Sequence, residues 1–300
     1  MAHYATLTLN PCIDRTYLPD GSFTEEAGGK GINAARVLTA LGDECIAMVP
    51  VGTGENSLRF RRLCADDGIR LHEVSVARDI RRIDTIRHPD GTDEQRYVKG
   101  EDIAPEELPL LKEALMQILP SSILMICGSA PGPVSASFAR EAVLTAKSLH
   151  VPVLLDSNGD ALTQGFEAGP DVIKPNQKES SQLSGRDIPA GEEEAAAAAL
   201  LRKAAPAGLK GIIVSLGEKG AMWLAQDGTY YCPAPHVETV NPVGSGDCFT
   251  AVLCHSLISG LTEQGALAAA CAAGAANARM FPAARIRRAD IEELLGWSLP

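Results

Sequence analysis

The sequence predicts an α/β protein in which a mostly parallel sheet is covered by helices on both faces. Apolar runs of strand length alternate along the chain with segments of helix length, and this alternation is typical of parallel βα units. Several strand segments are apolar at consecutive positions, as in "SILMICG" and "GIIVSLG", which is expected of strands buried on both sides. No internal repeat of roughly 20–50 residues and no linker-like segment interrupts the pattern, so we expect one domain over residues 1–300.

Six strands and seven helices can be placed from these periodicities. Strands are predicted at 5–10, 45–51, 122–128, 151–156, 171–176 and 211–217. Helices are predicted at 31–41, 55–66, 106–118, 135–149, 192–205, 246–259 and 262–279. The last helix contains the small-residue run "GALAAACAAGAANA", which indicates close packing against a neighbour.

Residues 69–99 differ from the rest of the chain. Short polar strands with the turn "PDGTD" between them predict an antiparallel flap packed against the main sheet. The flap is rich in basic residues within a chain of net charge −11, and two interpretations stay open, a solvated strand face or an anion-binding surface. These basic residues are Arg78, Arg81, Arg82, Arg87, Arg96 and Lys99.

Composition excludes several classes of protein. The net charge of −11 argues against nucleic-acid binding, which depends on phosphate neutralisation by Lys and Arg. No apolar run approaches the roughly 20 residues that span a bilayer, and the N-terminus lacks the pattern of a secretory signal, so we expect a cytoplasmic protein without a membrane partner. The eight cysteines show no C-x-x-C pair and are expected to be buried thiols rather than zinc ligands.

The stretch "EEAGGKGINAARVLTALG" (25–42) surrounds Lys30 with glycines directly before an amphipathic helix. A helix N-terminus beside a lysine favours an anion, although a glycine-rich loop that only feeds a helix would look similar. The Walker A pattern is absent from the chain. Asn33 is placed either to contact a ligand hydroxyl or to cap the helix locally. Another glycine-rich stretch, 49–57, is explained by a tight strand-to-helix connection.

The stretch "NPVGSGDCFTA" (241–251) places Gly244, Ser245, Gly246 and Asp247 at the start of a predicted helix. The backbone amides of such a run can surround a developing negative charge, and the helix dipole adds to their effect. Asp247 would then accept the proton of an attacking hydroxyl. The alternative is that an aspartate in a first helical turn only complements the dipole.

Together these stretches resemble signatures of the ribokinase-like, or PfkB, carbohydrate kinases. The segments "GSAPG" (128–132), "LDSNG" (155–159), "KPNQKE" (174–179) and "SLGEKGA" (215–221) fall between them in the order of that family. The resemblance covers nearly the whole chain. It implies a ribokinase-like three-layer α/β/α fold with a small β-sheet lid, built here from about 10–24 and 69–99.

The resemblance also implies ATP and Mg²⁺ as cofactors and assigns roles by position. Asp247 would be the general base, with Gly244, Ser245 and Gly246 around the transferred group. Substrate contacts would come from Asp14, Gly29, Lys30, Asn33, Arg82, Arg96 and Ser129. ATP would be bound by Lys174, Asn176, Ser215, Gly217, Gly220 and Asn277, the last in a stretch from Ala272 near adenine, with Glu179 acting on Mg²⁺ indirectly.

"NPCID" (10–14) and "KPNQKE" resemble the phosphosugar branch of the family, in which a ketohexose monophosphate becomes a bisphosphate. The expected substrate is fructose 1-phosphate or tagatose 6-phosphate, with fructose 6-phosphate next, and a homodimer through the lid is expected. "GSAPG" departs from the family's more usual G-S-L-P-P-G, and Ser245 replaces an alanine. The alternatives are a kinase of a non-phosphorylated sugar or nucleoside, and a non-catalytic sugar-phosphate sensor, which should have lost Asp247.

Overall fold

Strands from both halves of the chain form a large central sheet in the computed structural model. The structure describes residues 3–88, 90, 92–98, 100–189, 191–225 and 228–300. Lys99 of the basic flap, and Pro89 and Gly91 of its predicted turn, lie outside the described residues. The strands are β1 (His3–Thr8), β2 (Cys12–Tyr17), β3 (Phe23–Gly28), β4 (Glu44–Val51), β5 (Arg70–Ser75), β6 (Arg81–Arg87), β7 (Asp93–Tyr97), β8 (Ile123–Gly128), β9 (Val153–Ser157), β10 (Val172–Ile173), β11 (Gly211–Ser215), β12 (Ala221–Ala225) and β13 (Thr229–Cys232).

The central sheet has the strand order β13-β12-β11-β10-β9-β8-β1-β4-β5. The strands from β11 to β5 in this order are parallel, whereas β12 and β13 are antiparallel. A smaller sheet of order β3-β2-β6-β7 is called the lid below. Within the lid, β2 and β6 are parallel and the other pairs are antiparallel.

Helices cover both faces of the central sheet, and each face has its own apolar core. The strand residues alternate between the two cores, as the two-residue period of a strand requires: Tyr4 faces one core and Ala5 the other. Alanines of the last long helix are buried in the first core, as its small-residue run indicates. The helices are α1 (Lys30–Leu41), α2 (Glu55–Asp66), α3 (Leu108–Ile118), α4 (Pro133–Ser148), α5 (Gly159–Glu167), α6 (Gln177–Ser184), α7 (Glu193–Ala204), α8 (Ser245–Ile258), α9 (Glu263–Ala278) and α10 (Arg288–Leu295).

The predicted fold class, a three-layer α/β/α arrangement with a small lid sheet, is confirmed. The flap prediction is wrong over its first segment, because β5 pairs with β4 at the edge of the central sheet. One face of β5 is largely exposed at the edge of the sheet, so its alternation of polar and apolar residues resembles that of a lid strand. The sequence reading missed five elements, α5, α6, α10, β12 and β13. No helix among the described residues is long and apolar enough to cross a lipid bilayer.

Candidate active site

A cavity of about 400 Å³ lies between one face of the lid and the carboxyl ends of the central strands. In open parallel sheets, ligands bind beyond the carboxyl ends of the strands, and the lid here forms the opposite wall. Six residues that the sequence singled out line the cavity: Asp14, Gly29, Lys30, Asn33, Ser129 and Asp247.

Asp247 lies in the first turn of α8 and is 8% exposed. Gly244 precedes the helix with a left-handed φ of 85°, a conformation that favours glycine and turns the chain into the helix. One carboxylate oxygen of Asp247, Oδ2, accepts a hydrogen bond of 2.7 Å from the Nδ2 amide of Asn33 on α1. The start of α1 and the start of α8 therefore meet at one carboxylate.

Burial raises the pKa of Asp247 to about 6, from an ordinary value of 3.8. Lys30 opposes this rise, the negative charge of Asp156 adds to it, and the hydrogen bond from Asn33 lowers it. An aspartate that only complemented the helix dipole would be stabilised as the anion. A carboxylate with a pKa near 6 is instead suited to accept a proton near neutral pH.

The start of α8 offers backbone donors beside Asp247. The amides of Ser245 and Asp247 donate to the carbonyls of Pro242 and Gly244, at 3.2 and 3.0 Å. Among the described residues, the amides of Gly244 and Gly246 donate no hydrogen bond. With the helix dipole behind them, these two amides can bind an anion. Ser245 and Asp247, which we also expected to donate, use their amides within the turn.

Two lysines share a buried carboxylate, and one of them, Lys30, lines the cavity. Asp156, at the end of β9, is 1% exposed. Its Oδ1 contacts Lys30 Nζ at 2.8 Å, and its Oδ2 contacts Lys174 Nζ at 3.2 Å. Thr250 of α8 donates to the same Oδ2 at 2.6 Å. Burial raises the pKa of Asp156, but Lys174 and Lys30 outweigh this and lower it to about 2.

Burial lowers the pKa of Lys30, but Asp156 and Glu179 outweigh it and raise the value. Lys30 therefore carries its charge throughout the physiological pH range. Lys174 is close to the loop that precedes α8, since a Cβ placed on Gly246 would lie 3.8 Å from its Nζ. Both lysines are thus positioned to neutralise an anion bound at the start of α8.

Asn176 and Glu179 form the N-terminal cap of α6. The side chain of Asn176 accepts from the Glu179 amide, and Glu179 Oε2 accepts from the Asn176 amide, each at 2.9 Å. This reciprocal capping box occupies the side-chain oxygen of Asn176. The other carboxylate oxygen of Glu179 lies 3.6 Å from Lys30 Nζ, so Glu179 is adjacent to a residue that lines the cavity.

The residues present fit a Mg²⁺ ion that is carried mainly by phosphates and water. Among the described residues, no group of three or more His, Cys, Asp or Glu side chains is arranged to hold a metal. Magnesium is commonly bound by one or two carboxylates together with substrate phosphates. Glu179 is the better placed carboxylate, because its Oε1 makes a longer contact of 3.6 Å with Lys30 Nζ, whereas both oxygens of Asp156 are held at 3.2 Å or less by Lys30, Lys174 and Thr250.

Ser215 ends β11, and the turn that follows it contains Gly217 and Gly220. Ser215 forms an isolated bridge with Asn176, so the turn lies beside the start of α6. Gly220 has a φ of 106°, and a Cβ there would lie 2.0 Å from the carbonyl oxygen of Cys232. The packing of β13 therefore requires a glycine at 220, whereas no atom lies within 4 Å of a Cβ placed on Gly217.

Asn277 does not present its side chain to a ligand, which corrects the predicted ATP contact. It is fully buried. Its Nδ2 donates to Val243 O at 2.8 Å and to Ser245 Oγ at 3.0 Å, while its Oδ1 accepts from the Ala284 amide at 2.7 Å. Asn277 therefore fixes the loop before α8, and the Ser245 hydroxyl is part of that support.

Arg82 and Arg96 lie on the face of the lid opposite to the cavity, so their predicted place at the substrate is wrong within this chain. Alternate strand residues face opposite sides of a sheet. Arg82 pairs with Asp84, and Arg96 pairs with Glu94. The cavity-facing cations of β6 are Arg81 and Arg87.

Arg81 and Arg87 differ in their partners. Arg87 pairs with Asp93 at 2.9 Å and stacks over the Phe281 ring at 4.6 Å. Arg81 takes part in none of the ion pairs of the described residues. Its Nε is buried without a partner, and its Nη2 makes one long hydrogen bond of 3.4 Å to Asn10 O. Arg81 is therefore a cavity cation with free bonding capacity.

Asp14 and Ser129 lie on the same side of the cavity as Arg81. Ser129 Oγ accepts a hydrogen bond of 3.0 Å from the side-chain Nδ2 of Asn10. Burial raises the pKa of Asp14, while the Cys12 thiol and Arg81 oppose the rise. Gly29 is the N-cap of α1 in the cavity wall.

The sequence reading missed Asp156, Thr250 and Arg81 as site residues. Asp156 follows a buried strand within "LDSNG", and the carboxyl ends of parallel strands meet at one edge, so its position was a usable signal. Only the register of β6 shows that Arg81, and not Arg82, faces the cavity. Thr250 is recognisable only through its distance to Asp156.

Comparison with known proteins agrees with this geometry. A family model described as "pfkB family carbohydrate kinase" matches residues 7–283. Phosphofructokinase-2 from Escherichia coli, solved in complex with potassium, is 25% identical with a TM-score of 0.89, and 99% of each chain is covered. The same enzyme in complex with fructose-6-phosphate gives 25% identity and a TM-score of 0.87 over 99% of each chain.

A more distant likeness supports the fold. Ribokinase from Thermotoga maritima is 21% identical with a TM-score of 0.77, covering 99% of this chain and 100% of its own. The match of the family model extends over most of the chain and includes both glycine-rich stretches at the cavity. This chain belongs to the pfkB family of carbohydrate kinases.

Proposed function

We propose that this protein transfers the γ-phosphoryl group of ATP to a hydroxyl of a ketohexose monophosphate and so forms a bisphosphate. The observation that carries the proposal is the pairing of Asp247, buried at the start of α8, with a cavity that also contains the unpaired cation Arg81. The first feature suits the deprotonation of a hydroxyl. The second suits a substrate that already bears a phosphate.

Asp247 acts as the general base. Its carboxylate is fixed by Asn33, and its pKa of about 6 leaves it ionised at neutral pH. When an acceptor hydroxyl lies against Oδ1 or Oδ2, the proton moves to the carboxylate as the oxygen attacks phosphorus. Phosphoryl transfer needs positioning and charge stabilisation more than covalent help, and the remaining residues serve those needs.

The amides of Gly244 and Gly246, together with Lys30 and Lys174, stabilise the charge on the transferred group. These donors surround the start of α8 before any ligand arrives, so little reorganisation accompanies the reaction. ATP lies along the turn after β11 and the start of α6, beside Ser215 and Asn176. When bound, Mg²⁺ would neutralise phosphate charge, and Glu179 would be a carboxylate able to orient its water shell.

Arg81 binds the phosphate that the sugar already carries. A guanidinium can donate two parallel hydrogen bonds to a phosphate, and Arg81 has donors to offer. Asp14 accepts hydrogen bonds from sugar hydroxyls on the same wall. Fructose 1-phosphate, tagatose 6-phosphate and fructose 6-phosphate each place a phosphate at one end of the sugar and a primary hydroxyl at the other, so all three are candidate substrates.

Two chains associate through their lids in this proposal. Phe23 on the outer face of the lid is 51% exposed, and Tyr97 on its cavity face is 66% exposed, so each face of the lid presents an aromatic side chain. A structure of Escherichia coli phosphofructokinase-2 is described as a tetrameric inhibited form. Light scattering of the wild type and of a Phe23→Ser variant tests the association, and a monomeric wild type would contradict it.

The substrate is tested by ADP release in the presence of ATP and Mg²⁺. The panel contains the three ketohexose phosphates, free fructose, ribose and adenosine. We expect one of the phosphates to be preferred over free fructose by several orders of magnitude, because a site built to pair a polar group rejects the analogue lacking it by about 10⁴–10⁵-fold. Preference for ribose or adenosine would support a kinase of non-phosphorylated substrates instead. Binding of a sugar phosphate without turnover would support a sensor.

A further inference from the structure

The amide of Asn33 is held in one orientation by contacts on both of its ends. Nδ2 donates to Asp247 Oδ2 at 2.7 Å, and Oδ1 accepts from Arg36 Nη1 at 2.7 Å. Rotating the amide by half a turn would place its oxygen against the carboxylate of Asp247 and its NH₂ group against a guanidinium. Both contacts would then be repulsive, so Arg36 fixes the orientation of the Asn33 amide from the end opposite to Asp247.

Arg36 lies three residues after Asn33 on the same face of α1, as residues at this spacing do. It is 5% exposed. Its Nε donates to Asp67 Oδ2 at 2.8 Å, and its Nη2 donates to Ala27 O at 2.5 Å. The planar guanidinium thus has a different acceptor on each of its three nitrogens, a geometry that the ammonium of a lysine cannot reproduce.

The Asp67 end of this chain of contacts reaches the lid. Asp67 Oδ1 contacts Arg285 Nη1 at 2.6 Å, and Arg285 Nε donates to Glu26 of β3 at 2.9 Å. Asp67 therefore has one arginine on each carboxylate oxygen. A buried guanidinium is costly unless it is paired and fully hydrogen-bonded, and these contacts satisfy Arg36 without any ligand.

We propose that Arg36 is a positioning residue of the phosphoryl-transfer reaction: it orients the Asn33 amide so that Nδ2, and not Oδ1, is presented to the carboxylate of Asp247. The inference rests on the proposed function in taking Asp247 as the base. Arg36 is not a catalytic residue, because its contacts are with Asn33, Asp67 and Ala27 and it is absent from the cavity lining.

The pKa of the Asp247 carboxylate should depend on the orientation of the Asn33 amide. In the part of the chain that the structure describes, Asn33 is the side chain that donates a hydrogen bond to Asp247. The other charged and titratable groups near Asp247 belong to α1, β9, the segment after β10, β2, β8 and α8 itself. They are Lys30, Asp156, Lys174, Cys12, Cys127 and Cys248. Loss of the Asn33 donor leaves the pairings of Lys30 and Lys174 with Asp156 in place and removes a hydrogen bond that favours the ionised carboxylate.

The test is a titration of the Asp247 carboxyl carbon by ¹³C NMR in the full chain. The resonance is assigned with Asp247→Asn. We expect Arg36→Lys, which keeps the charge but not the three-way donor geometry, to raise the pKa of Asp247 by about one unit. Arg36→Met should raise it at least as much. Leu38→Ala, at a fully buried position of α1 that is five residues from Asn33 and therefore off its face, should lower stability and leave the pKa of Asp247 unchanged.

A double-mutant cycle separates orientation from charge. Asn33→Leu alone should raise the pKa of Asp247, and adding Arg36→Lys should raise it no further, because the amide that Arg36 orients is gone. An unchanged pKa in folded Arg36→Lys and Arg36→Met would overturn the inference, as would full additivity with Asn33→Leu. If the NMR pKa moves while the acid limb of kcat does not, the positioning role stands and the assignment of Asp247 as base fails.

Discussion

Lys30 at the first position of α1 contacts Asp156 at the end of β9 through a 2.8 Å ion pair, across 126 residues of sequence. Since Lys174 occupies the second oxygen of the same carboxylate, one buried aspartate holds both the cavity residue Lys30 and the buried Lys174. We expect Asp156→Asn to lower the free energy of unfolding by about 3–5 kcal/mol, because it leaves buried ammonium groups uncompensated. Urea denaturation measures this. The exposed pair Arg186–Glu192 provides the control, since Glu192→Gln should cost about 0–1 kcal/mol. Equal costs for the two variants would contradict the structural role of Asp156.

Asp247→Asn should lower kcat by about 10²–10⁴-fold while ATP affinity is kept, because a general base typically contributes that much. The same variant should be more stable at pH 7, by on the order of 2 kcal/mol. Burial raises the pKa of Asp247 to about 6, so the ionised form is disfavoured in the folded state and a neutral amide removes that cost. Stopped assays and thermal unfolding measure the two effects. Asp160→Asn, in the first turn of α5, is the control for losing a negative charge that only complements a helix dipole. A variant of Asp247 that retained a tenth of wild-type kcat would remove it from the role.

The pH profile should show the titration of the same carboxylate. A base must be unprotonated, so kcat/KM should be constant above the pKa of Asp247 and fall tenfold per pH unit below about 6. The phosphate of the substrate also titrates near pH 6. Its titration is therefore measured separately by phosphorus NMR, and the kcat/KM profile is corrected for the ionisation of the substrate. An acid limb near pH 4 would mean that Asp247 behaves as an ordinary exposed aspartate.

Arg81 and Arg82 provide a matched pair, since they are adjacent in sequence and lie on opposite faces of the lid. Arg81→Met should raise KM for the sugar phosphate by about 10- to 150-fold, the loss of a charge-assisted hydrogen bond of about 1.5–3 kcal/mol. Arg82→Met should change it little, because Arg82 pairs with Asp84 away from the cavity. KM for ATP should stay the same in both variants. A larger effect of Arg82 would place the phosphate on the outer face of the lid.

Asn277→Ala separates support of the loop from direct contact with ATP. The change leaves the Ala284 amide and the Val243 carbonyl without their partner, and each unsatisfied buried group costs about 1–3 kcal/mol. We expect reduced stability and reduced kcat, with the Kd of ATP changed by less than about threefold. Isothermal titration with ATP decides between the two roles. A tenfold weaker affinity in a folded variant would restore Asn277 as a nucleotide contact.

The sequence predicted six strands of the central sheet (β1, β4, β8, β9, β10 and β11), seven of the helices, and the cavity residues Lys30, Asn33 and Asp247. Apolar runs such as "SILMICG" are recognisable because both faces of these strands are buried. The two glycine-rich stretches are recognisable because a ligand must come close to the backbone at a helix start. Lys30, Asn33 and Asp247 were found for these local reasons. Their mutual distances depend on how α1 and α8 pack, which no local pattern contains.

The predictions from the sequence were wrong where one sequence pattern is compatible with two different structures. The strand 70–75 has the polar alternation of a lid strand and pairs at the edge of the central sheet instead. The arginines of β6 differ by one position, and a shift of one residue exchanges the two faces of a strand. Asn277 was assigned from its place in a family segment, whereas its role depends on four contacts with residues 243 to 284.

The central place of β1 determines the order in which the sheet can form during synthesis. β1 precedes the other described strands along this sequence, yet it lies between β4 and β8, and Tyr4 is in register with Ile123. At about 5–20 residues per second, roughly 6 to 24 s separate the synthesis of these two partners. During that interval β1 can pair with β4 alone, and an apolar strand edge stays open to neighbouring nascent chains. The yield of folded enzyme in a cell therefore depends on how well that edge is shielded until β8 arrives.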